Sequence, residues 1–423
     1  MSPESEVIAL PGRPARTPKP QFLSALAERA LRARLARITD GELLIEHEGS
    51  VARYGRPGAE RPVSLRIHDR RFWTEVAFGG SIGAGESYMQ GDWRTDDLTG
   101  LVRLMLRNRD VLDGVDGSLS RITAPLQKLL HAASRNTRSG SRRNIAAHYD
   151  LGNDFFALFL DPTMMYSSAL FEHDAMTLEE ASLAKLDRIC RRLDLRPGQR
   201  VLEIGTGWGG LALHAASRYG CHITTTTLSR EQHELAAERI ARAGLSERIT
   251  LLLEDYRDLS APDQGGYDRL VSIEMIEAVG HRYYDEYFGR CAALLAPHGM
   301  MLLQAITIAD QRYEQALRSV DFIQRHIFPG SCIPSVSALA ASVARATDMK
   351  LYHMEDIGPH YARTLAAWRA NLLANRERVL ALGYSETFIR MWEFYFCYCE
   401  GGFAERALGD VQMLLVKPGA RPA

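Results

Sequence analysis

The sequence predicts an α/β protein whose larger part is a doubly wound, Rossmann-like sheet, preceded by a smaller N-terminal α/β domain. From about residue 180 onward, β-branched runs alternate with amphipathic helical stretches, which is the pattern of a parallel sheet. One predicted strand ends in a glycine-rich segment that opens a helix, as at the ligand-binding edge of such sheets. The length of 423 residues fits about two to three domains.

The N-terminal part of the chain predicts a tail and then a small domain. The first 21 residues contain five prolines, and we expect a flexible tail there. Apolar residues recur at helical spacing over residues 22–38, with arginines at the remaining positions. Runs at 42–47, 63–69 and 71–78 are rich in strand-forming residues and precede a glycine-rich stretch at 79–85. We therefore expect a small α/β domain over residues 22–120.

A basic segment follows this domain. Residues 121–143 contain six basic residues and no acidic one, with a polar Gly/Ser-containing stretch that is typical of a linker. Two interpretations stay open: a solvated connector, or a patch that docks on anionic phospholipid, where each basic residue adds roughly 1 kcal/mol. The larger, catalytic domain is then expected over residues 144–423.

The larger domain is predicted element by element. Strands are expected at residues 200–205, 221–228, 248–254, 267–274, 299–307 and 411–417. Helices are expected at 211–219, 229–243 and 283–295, and two long helices precede the last strand. A stripe of Leu183, Leu186, Ile189 and Leu193 predicts a further helix before the first strand. Ser229 and Gln232, three residues apart, predict a capping box at the start of the helix at 229–243.

Composition and charge exclude several classes of protein. The chain has 51 basic and 52 acidic residues, so its net charge of −1 gives no overall attraction to nucleic acid, and we expect no such partner. No run reaches the roughly 18 apolar residues of a membrane-spanning helix, and the N-terminus lacks the apolar core of a signal peptide. The six cysteines form no CxxC pair, so we expect reduced thiols, no metal and a cytoplasmic protein.

The glycine-rich segment at residues 203–210 indicates the ligand. Its first, second and last glycines match the GxGxxG of dinucleotide sites, where backbone N–H groups approach a pyrophosphate. A dinucleotide site would place an acid about 20 residues further on, but residues 224–228 read TTTTL. The acid instead precedes the turn, at Glu203, which suits a nucleoside with an amino-acid tail such as S-adenosylmethionine (SAM). A tight turn that binds nothing is the alternative.

Several motifs in order along the chain resemble the cyclopropane-fatty-acid synthase family of SAM-dependent lipid methyltransferases. They are AHYDLGNDFF at 147–156, MYSS at 165–168, EIGTGWGG at 203–210, TLS at 227–229 with Gln232, DYRD at 255–258, EMIEAVGH at 274–281, IFPG at 327–330, IPS at 333–335 and YFCYCEGGF at 395–403. The resemblance spans about residues 140 to 417, and the N-terminal domain resembles that of the longer members of the family. It implies a class I SAM-methyltransferase fold and SAM as the cofactor.

The positions that the resemblance implies for SAM binding fall into four groups. They are Tyr166 and Ser167; Gly205, Gly207 and Gly209 beside the methionine portion; Thr227, Leu228 and Gln232 beside the ribose; and Asp255, Tyr256 and Arg257 around the adenine. From the residues alone, Gln232 also has an interpretation as a helix cap, and Tyr256 as a core aromatic.

The resemblance also implies the catalytic groups. In the family, a bound bicarbonate is the base that removes a proton after methyl transfer, held by a glutamate, a tyrosine, a histidine and the backbone near a cysteine. The matching positions here are Glu277, Tyr361, Gln304 and Ser168, so the last two differ from the usual histidine and cysteine. An amide and a hydroxyl can still donate hydrogen bonds there. Cys399 matches a cysteine that the family treats as functional, with a small buried apolar residue as its alternative interpretation.

The implied reaction is transfer of a methylene or methyl group to the double bond of an unsaturated acyl chain in a phospholipid, giving a cyclopropane fatty acid. Three alternatives stay open: a methyl-branched or methylene product, a lipid-binding protein without activity, and a nicotinamide dehydrogenase, which the missing acid disfavours. Because the implied substrate lies in a bilayer, we expect a cytoplasmic protein that docks peripherally and reversibly on the membrane. The sequence leaves the oligomeric state open, with a homodimer among the arrangements.

Overall fold

The structure is a computed structural model that describes residues 21–58, 61–111, 113, 151–262 and 265–422. The predicted tail, apart from Gln21, and the predicted basic linker at 121–143 lie outside these residues. Within the described ranges the chain divides into two compact units, one drawn from Met1–Pro125 and Leu373–Phe394 and the other from Leu126–Leu372 and Tyr395–Ala423. A C-terminal segment thus belongs to the first unit, a feature that two consecutive domains would not contain.

The elements of the described chain are these. The strands are β1 Glu42–His47, β2 Ser50–Gly55, β3 Val63–Ile67, β4 Trp93–Thr95, β5 Arg200–Ile204, β6 His222–Thr226, β7 Ile249–Leu252, β8 Tyr267–Ile273, β9 Leu295–Ile308, β10 Lys350–Asp356 and β11 Leu408–Val416. The helices are α1 Gln21–Leu35, α2 Arg71–Met89, α3 Leu98–Arg107, α4 Asn153–Phe156, α5 Leu178–Arg192, α6 Gly210–Tyr219, α7 Arg230–Arg242, α8 Tyr284–Leu294, α9 Asp310–Ala316, α10 Phe322–His326, α11 Val336–Ala346, α12 Gly358–Ala374, α13 Arg376–Ala381 and α14 Glu386–Ala404.

The first unit is built on a small mixed sheet in the order β2-β1-β3-β4, in which only the β1–β3 pair is parallel. The prediction of a strand at residues 71–78 is wrong, because these residues begin α2. Phe72, Trp73 and Val76 are buried on one face of that helix, so tertiary packing overrides their strand propensity. The glycine-rich stretch divides α2 into two helical segments at a kink at Gly80, where φ is +58° and the backbone is not helical.

The second unit carries a seven-stranded sheet in the order β10-β11-β9-β8-β5-β6-β7. Strands β5 to β9 are parallel, and β11 runs antiparallel to both β9 and β10. The strand order reverses between β5 and β8, and in open α/β sheets ligands bind at the carboxyl edge beside such a reversal. The predicted doubly wound fold is therefore confirmed.

Two apolar cores cover the faces of this sheet. Alternate residues of β5 point to opposite sides: Leu202 and Ile204 join the core under α8 and α11, whereas Val201 joins the core under α5, α6 and α7. Of the predicted helical stripe, Leu186, Ile189 and Leu193 are buried, but Leu183 is exposed. Among the described residues, no helix combines the length and apolar character that crossing a membrane requires.

Candidate active site

The glycine turn lies between β5 and α6, at the carboxyl edge of the sheet. Gly205, Gly207 and Gly209 have φ values of +101°, +53° and +84°, which favour glycine. A Cβ added at Gly207 would meet no atom within 4 Å, so this part of the turn borders open space. A Cβ at Gly210 would lie 2.6 Å from the Met165 Sδ atom, so the chain before Tyr166 packs directly on the turn. The turn has room for a ligand and brings the predicted SAM residues beside it.

On the predicted ribose side, the residues that follow β6 are linked to one another by hydrogen bonds. The Thr227 hydroxyl donates to the Gln232 side-chain oxygen at 2.9 Å, and the Ser229 N–H donates to the Thr227 hydroxyl at 3.2 Å. Ser229 caps α7 by accepting from the Gln232 N–H, so half of the predicted capping box is present. The Gln232 side chain bonds Thr227 instead of the Ser229 backbone, and it is therefore directed toward the predicted ribose side. Leu228, between them, is half-buried.

The predicted adenine side is an ion pair beside an aromatic ring. Arg257 donates two hydrogen bonds to the Asp255 carboxylate, at 2.8 and 2.6 Å. The guanidinium carbon lies 5.6 Å from the centre of the Tyr256 ring. Tyr256 packs edge-on against Tyr287 of the core under α8, so it is in part the core aromatic that the alternative interpretation proposes.

Aromatic rings surround Tyr166. Its ring centre lies 5.4 Å from that of Phe156, 5.2 Å from that of Trp368 and 6.1 Å from that of Phe328. Its hydroxyl is 3.2 Å from the Tyr395 hydroxyl. The rings come from α4, α12, α14 and the chain after α10, so an aromatic cage forms that no single stretch of sequence encodes. We call these five side chains the aromatic cage.

A buried lysine supports the neighbouring predicted SAM residue. The Lys185 ammonium donates to the Ser167 hydroxyl at 2.8 Å, and the whole lysine side chain is buried. Lys185 lies on the inner face of α5, one residue before Leu186 of the apolar stripe. Lys185 was not among the predicted site residues, although a lysine next to the apolar stripe of a helix was a feature that could have identified it. Burial lowers the pKa of Lys185 to about 8, and the carboxylates of Glu274 and Asp410 oppose this shift.

Glu274 is the centre of the site, and the sequence analysis gave it no role. It follows β8 directly, and both of its carboxylate oxygens accept hydrogen bonds. One oxygen accepts from the Ser168 N–H at 2.9 Å and from the Gln304 amide at 2.8 Å. The other accepts from the Tyr361 hydroxyl at 2.7 Å. Three of the predicted catalytic residues thus come together on one carboxylate.

A second buried acid extends this network along the sheet. The Gln304 amide also donates to the Asp410 carboxylate at 2.9 Å, and the Gln412 amide donates to the Gln304 oxygen at 3.1 Å. Gln304 and Gln412 are paired across β9 and β11, which places all three side chains in one layer. Asp410 was not predicted as a site residue because the predicted last strand began at residue 411. Asp410 and Gln412 are polar residues in an otherwise apolar strand, and this pattern could have indicated a buried polar site.

Glu277 lies one 3₁₀ turn beyond Glu274 and is buried. One of its carboxylate oxygens accepts from the Ile306 N–H at 2.6 Å. The other oxygen is buried and has no hydrogen-bond partner within the described protein. An unsatisfied buried carboxylate oxygen is energetically unfavourable, which is typical of a group that meets its partner only when a ligand binds.

Burial decides the charge of this cluster. It raises the pKa of Glu277 to about 8, with the nearby Glu274 carboxylate adding to the shift. It also raises the pKa values of Glu274 and Asp410. A raised pKa favours the neutral form of these carboxyl groups, and a cationic ligand or intermediate beside them would favour their ionised form.

The predicted bicarbonate does not fit these residues. The N–H of Ser168, the amide of Gln304 and the hydroxyl of Tyr361 are the donors that would hold it, and all three donate to Glu274. The Ser168 hydroxyl, which was expected to donate in the site, donates to the neighbouring Ala169 carbonyl.

Cys399 lies on α14 and is half-buried. Burial raises the pKa of its thiol, so the thiolate is disfavoured. Its neighbour Cys397 accepts a hydrogen bond from Arg369, which also pairs with Glu400. These contacts fit the alternative interpretation of Cys399 as a small apolar residue, and a functional role for it stays a prediction.

A doubly wound seven-stranded sheet, an open glycine turn at its carboxyl edge and an acid-lined site beside it define a class I SAM-dependent methyltransferase. A solved mycolic acid cyclopropane synthase in complex with SAH and CTAB is similar, with a TM-score of 0.60 and 34% identity over 65% of this chain and 98% of that chain. The model of the mycolic acid cyclopropane synthetase family matches residues 136–413, and the chain belongs to this family.

Two curated relatives are similar over most of their length. One is a tuberculostearic acid methyltransferase of Mycobacterium tuberculosis, 38% identical over 417 residues that cover 96% of this chain and 95% of the relative. The other is a cyclopropane-fatty-acyl-phospholipid synthase of Escherichia coli, 40% identical over 354 residues that cover 83% of this chain and 86% of the relative. The predicted family and the SAM-dependent methyltransferase activity are thus confirmed.

Proposed function

We propose that the protein transfers a methylene or methyl group from SAM to the double bond of an unsaturated fatty acyl chain of a phospholipid, giving a cyclopropane fatty acid. The observation that carries the proposal is the aromatic cage around Tyr166, next to the glycine turn and to buried carboxyl groups. A site walled by π faces and acids suits a substrate that becomes cationic. The Escherichia coli relative, named for this reaction, supports the same conclusion.

The residues around the turn do the positioning. SAM supplies a methyl group on a positively charged sulfur, and an alkene is a poor nucleophile, so the two must be held in line. The open face at Gly207 admits the methionine portion, and the Thr227–Gln232 pair faces the ribose side. The Lys185 ammonium donates a hydrogen bond to the Ser167 hydroxyl and so fixes its position. These contacts orient the cofactor before the reaction.

The cage and the carboxylates act on the charge that follows. Methylation of a double bond leaves a positive charge on the acyl chain, and water would convert it to an alcohol. An aromatic face stabilises a nearby cation by roughly 0.5–2 kcal/mol, and the cage offers Tyr166, Phe156 and Trp368. The free oxygen of Glu277 and the Glu274 carboxyl group lie in the same site, and a cation beside them would favour their ionised form.

A second product is favoured by one observation. The Mycobacterium tuberculosis relative, which matches 96% of this chain, is named a tuberculostearic acid methyltransferase and not a cyclopropane synthase. The first steps of the two reactions are the same, and the choice between a ring and a methylene group depends on which carbon loses the proton. A methylene product, or a methyl branch formed from it when a reductase partner reduces the C=C bond, is therefore our second candidate.

The phospholipid substrate implies docking on a bilayer, and α1 offers a suitable surface. Phe22 is 70% exposed and Leu26 is 56% exposed, and both lie on the same helix as the exposed Arg29. Large exposed apolar residues beside arginines are typical of helices that lie in a membrane interface. We propose that this helix and the basic segment at 121–143 bind the anionic membrane surface reversibly from the cytoplasm.

This docking is testable with vesicles. Replacing Arg135, Arg138, Arg142 and Arg143 by neutral residues should remove up to roughly 4 kcal/mol of attraction to anionic vesicles in co-sedimentation. High salt should mimic the loss, because the Debye length falls from about 10 Å at 0.1 M to about 3 Å at 1 M. Zwitterionic vesicles are the control. Binding that is indifferent to both the arginines and salt would mean that apolar insertion alone docks the protein.

The test of the activity is direct. Purified protein is incubated with SAM and vesicles of a monounsaturated phospholipid, and the released fatty acids are analysed by mass spectrometry. A cyclopropane acid is heavier by one CH₂ and has no double bond, whereas a methylene acid is heavier by the same amount and keeps one. Unchanged fatty acids, with SAM intact, would refute the proposed function.

A further inference from the structure

We propose that the carboxylate of Glu274 is the base that removes the proton after methyl transfer, in the position where other members of the family bind bicarbonate. The inference rests on the proposed function above and goes beyond it by naming the base. Three donors converge on this carboxylate: the backbone N–H of Ser168, the amide of Gln304 and the hydroxyl of Tyr361. The resemblance assigns these three positions to a bound anion, and here the anion is part of the chain.

The backbone at Glu274 is unfavourable for any residue except glycine. Its φ is +48°, in the left-handed region, where a side chain costs roughly 1–2 kcal/mol. The position directly follows β8 and is half-buried, and glycine would be the simpler choice for the fold. An ionisable side chain in a strained and partly buried position destabilises the fold. Such features persist where the group serves the site.

The surroundings of Glu274 suit a base. A carboxylate has about four lone-pair positions, and the Ser168, Gln304 and Tyr361 donors take three of them. The neighbouring carboxyl group of Asp410 also hydrogen-bonds Glu274, so the two acids share the remaining position. The three donors and the ammonium of Lys185 favour the ionised form, while burial opposes it. The Tyr361 ring is stacked on Phe403 at 4.5 Å, which fixes the hydroxyl and therefore the carboxylate.

The proposed step is a simple proton transfer. After methylation the acyl chain carries a positive charge on the carbon next to the one that received the methyl group. For the ring, one C–H bond of the new methyl group breaks and its electron pair forms a C–C bond to the cationic carbon; for the branched product, a C–H bond on a carbon next to the charge breaks and its electron pair forms a C=C bond. In both cases the proton bonds to the Glu274 carboxylate. The positive charge of the chain is thereby neutralised, and the proton passes to water when the product leaves.

A base that is part of the chain makes the reaction independent of bicarbonate, and this independence can be tested. In buffer freed of carbon dioxide, the wild-type protein should keep its full turnover. Glu274→Gly removes the carboxylate and relaxes the backbone, so turnover should fall by about 10²–10⁴-fold, the usual contribution of a general base. Added bicarbonate should restore at least about a tenth of the lost rate, since its three donors are then free. Glu274→Gln, which still fills the space, should be inactive with or without bicarbonate.

Two further measurements keep the test independent of turnover. Titration with ¹³C-labelled bicarbonate, followed by NMR, should show specific binding to the Glu274→Gly variant and none to the wild type. SAM affinity should stay within a few-fold in both variants. Asp194→Gly is the matched control, because Asp194 has a φ of +50° in the same unit and pairs only locally with Arg196. It should leave turnover and bicarbonate dependence unchanged.

The outcomes separate this inference from the proposed function. A wild-type protein that needs or binds bicarbonate would overturn the inference, as would a Glu274→Gly variant that keeps most of its turnover. Loss of turnover with neither rescue nor binding would show that Glu274 does not stand in the bicarbonate position. If the wild type modifies no fatty acid under any condition, the proposed function fails, and the NMR titration still decides whether Glu274 occupies an anion site.

Discussion

The glycine turn and the carboxyl cluster lie at the same edge of one sheet but are built in different ways. The turn is a single stretch of eight residues, and its function depends on backbone conformation at Gly205, Gly207 and Gly209. The cluster draws Glu274, Gln304 and other side chains from β8, β9, β11 and α12, and its function depends on their charge. The comparison teaches that cofactor binding is encoded locally, whereas the reaction chemistry is encoded by tertiary contacts.

The largest expected effect comes from blocking the turn. Gly207→Val adds a side chain at a φ of +53° and directs it into the open space where the methionine portion of SAM would lie. SAM binding in calorimetry should become undetectable, and turnover should be lost with it. The backbone strain itself should cost only about 1–2 kcal/mol of stability, so the protein should stay folded.

The matched control for this variant is Gly244→Val. Gly244 has a φ of +67°, and a Cβ there also meets no atom within 4 Å, but it follows α7 and lies outside the turn. It should lose similar stability and keep normal SAM affinity. Equal SAM binding by the two variants would contradict the cofactor site.

The next effect tests the cluster without touching the turn. Glu277→Gln keeps an oxygen that can accept from the Ile306 N–H but cannot ionise when a cation forms beside it. Turnover should fall by about 10²–10⁴-fold while SAM affinity stays within a few-fold, because ionisation of this carboxyl group is needed only after methyl transfer. A variant with most of its activity would make Glu277 a purely structural acid.

The same variant should change the pH dependence of stability. The folded pKa of Glu277 is about 8, against 4.5 without burial, so between these values the folded protein binds more protons than the unfolded chain. Wild-type stability therefore falls as the pH rises through this window, by up to about 1.4 kcal/mol per pH unit. Glu277→Gln lacks this loss, and its advantage in chemical denaturation should grow from pH 4.5 to about 8. A difference that is constant with pH would argue against the buried acid.

The smallest expected effect on turnover comes from changes in the aromatic cage. Tyr395→Phe removes only the hydroxyl that lies 3.2 Å from Tyr166, and turnover should change little. Tyr395→Leu removes the π face as well, and one cation–π contact of roughly 0.5–2 kcal/mol corresponds to about a 2–30-fold loss of turnover. If the two variants behave alike, the ring serves packing and not the cation.

The contrast between the glycine turn and the carboxyl cluster also explains which features could be predicted from the sequence. The turn and the sheet strands follow from local patterns, and they are found where the patterns place them. The SAM-binding residues came from the resemblance and stay a prediction. The strand predicted at 71–78 failed because Trp73 and its neighbours pack as a helix face, which short-range propensity does not reveal. Lys185 and Asp410 were missed because a charged residue in an apolar stripe or strand has meaning only once its buried partners are known.

Glu274 shows the limit most clearly. Read along the chain, it is an acid after a strand, three residues before the glutamate that the family motif marks. Its importance lies in three donors that come from positions 168, 304 and 361, and in a φ angle that no sequence pattern states. The resemblance implied that these donors hold a ligand from solution, and their catalytic role stays a prediction. A linear sequence does not show the geometry that brings a carboxylate among them.

The left-handed backbone at position 274 also bears on how such a site could arise. Glycine is the residue best suited to that conformation, and a glycine codon such as GGA becomes the glutamate codon GAA by one base change. If Glu274 is the base that we propose, one base change at this position converts a site that takes its base from solution into one that carries its own. Such a change would remove any need for dissolved inorganic carbon in the proton transfer.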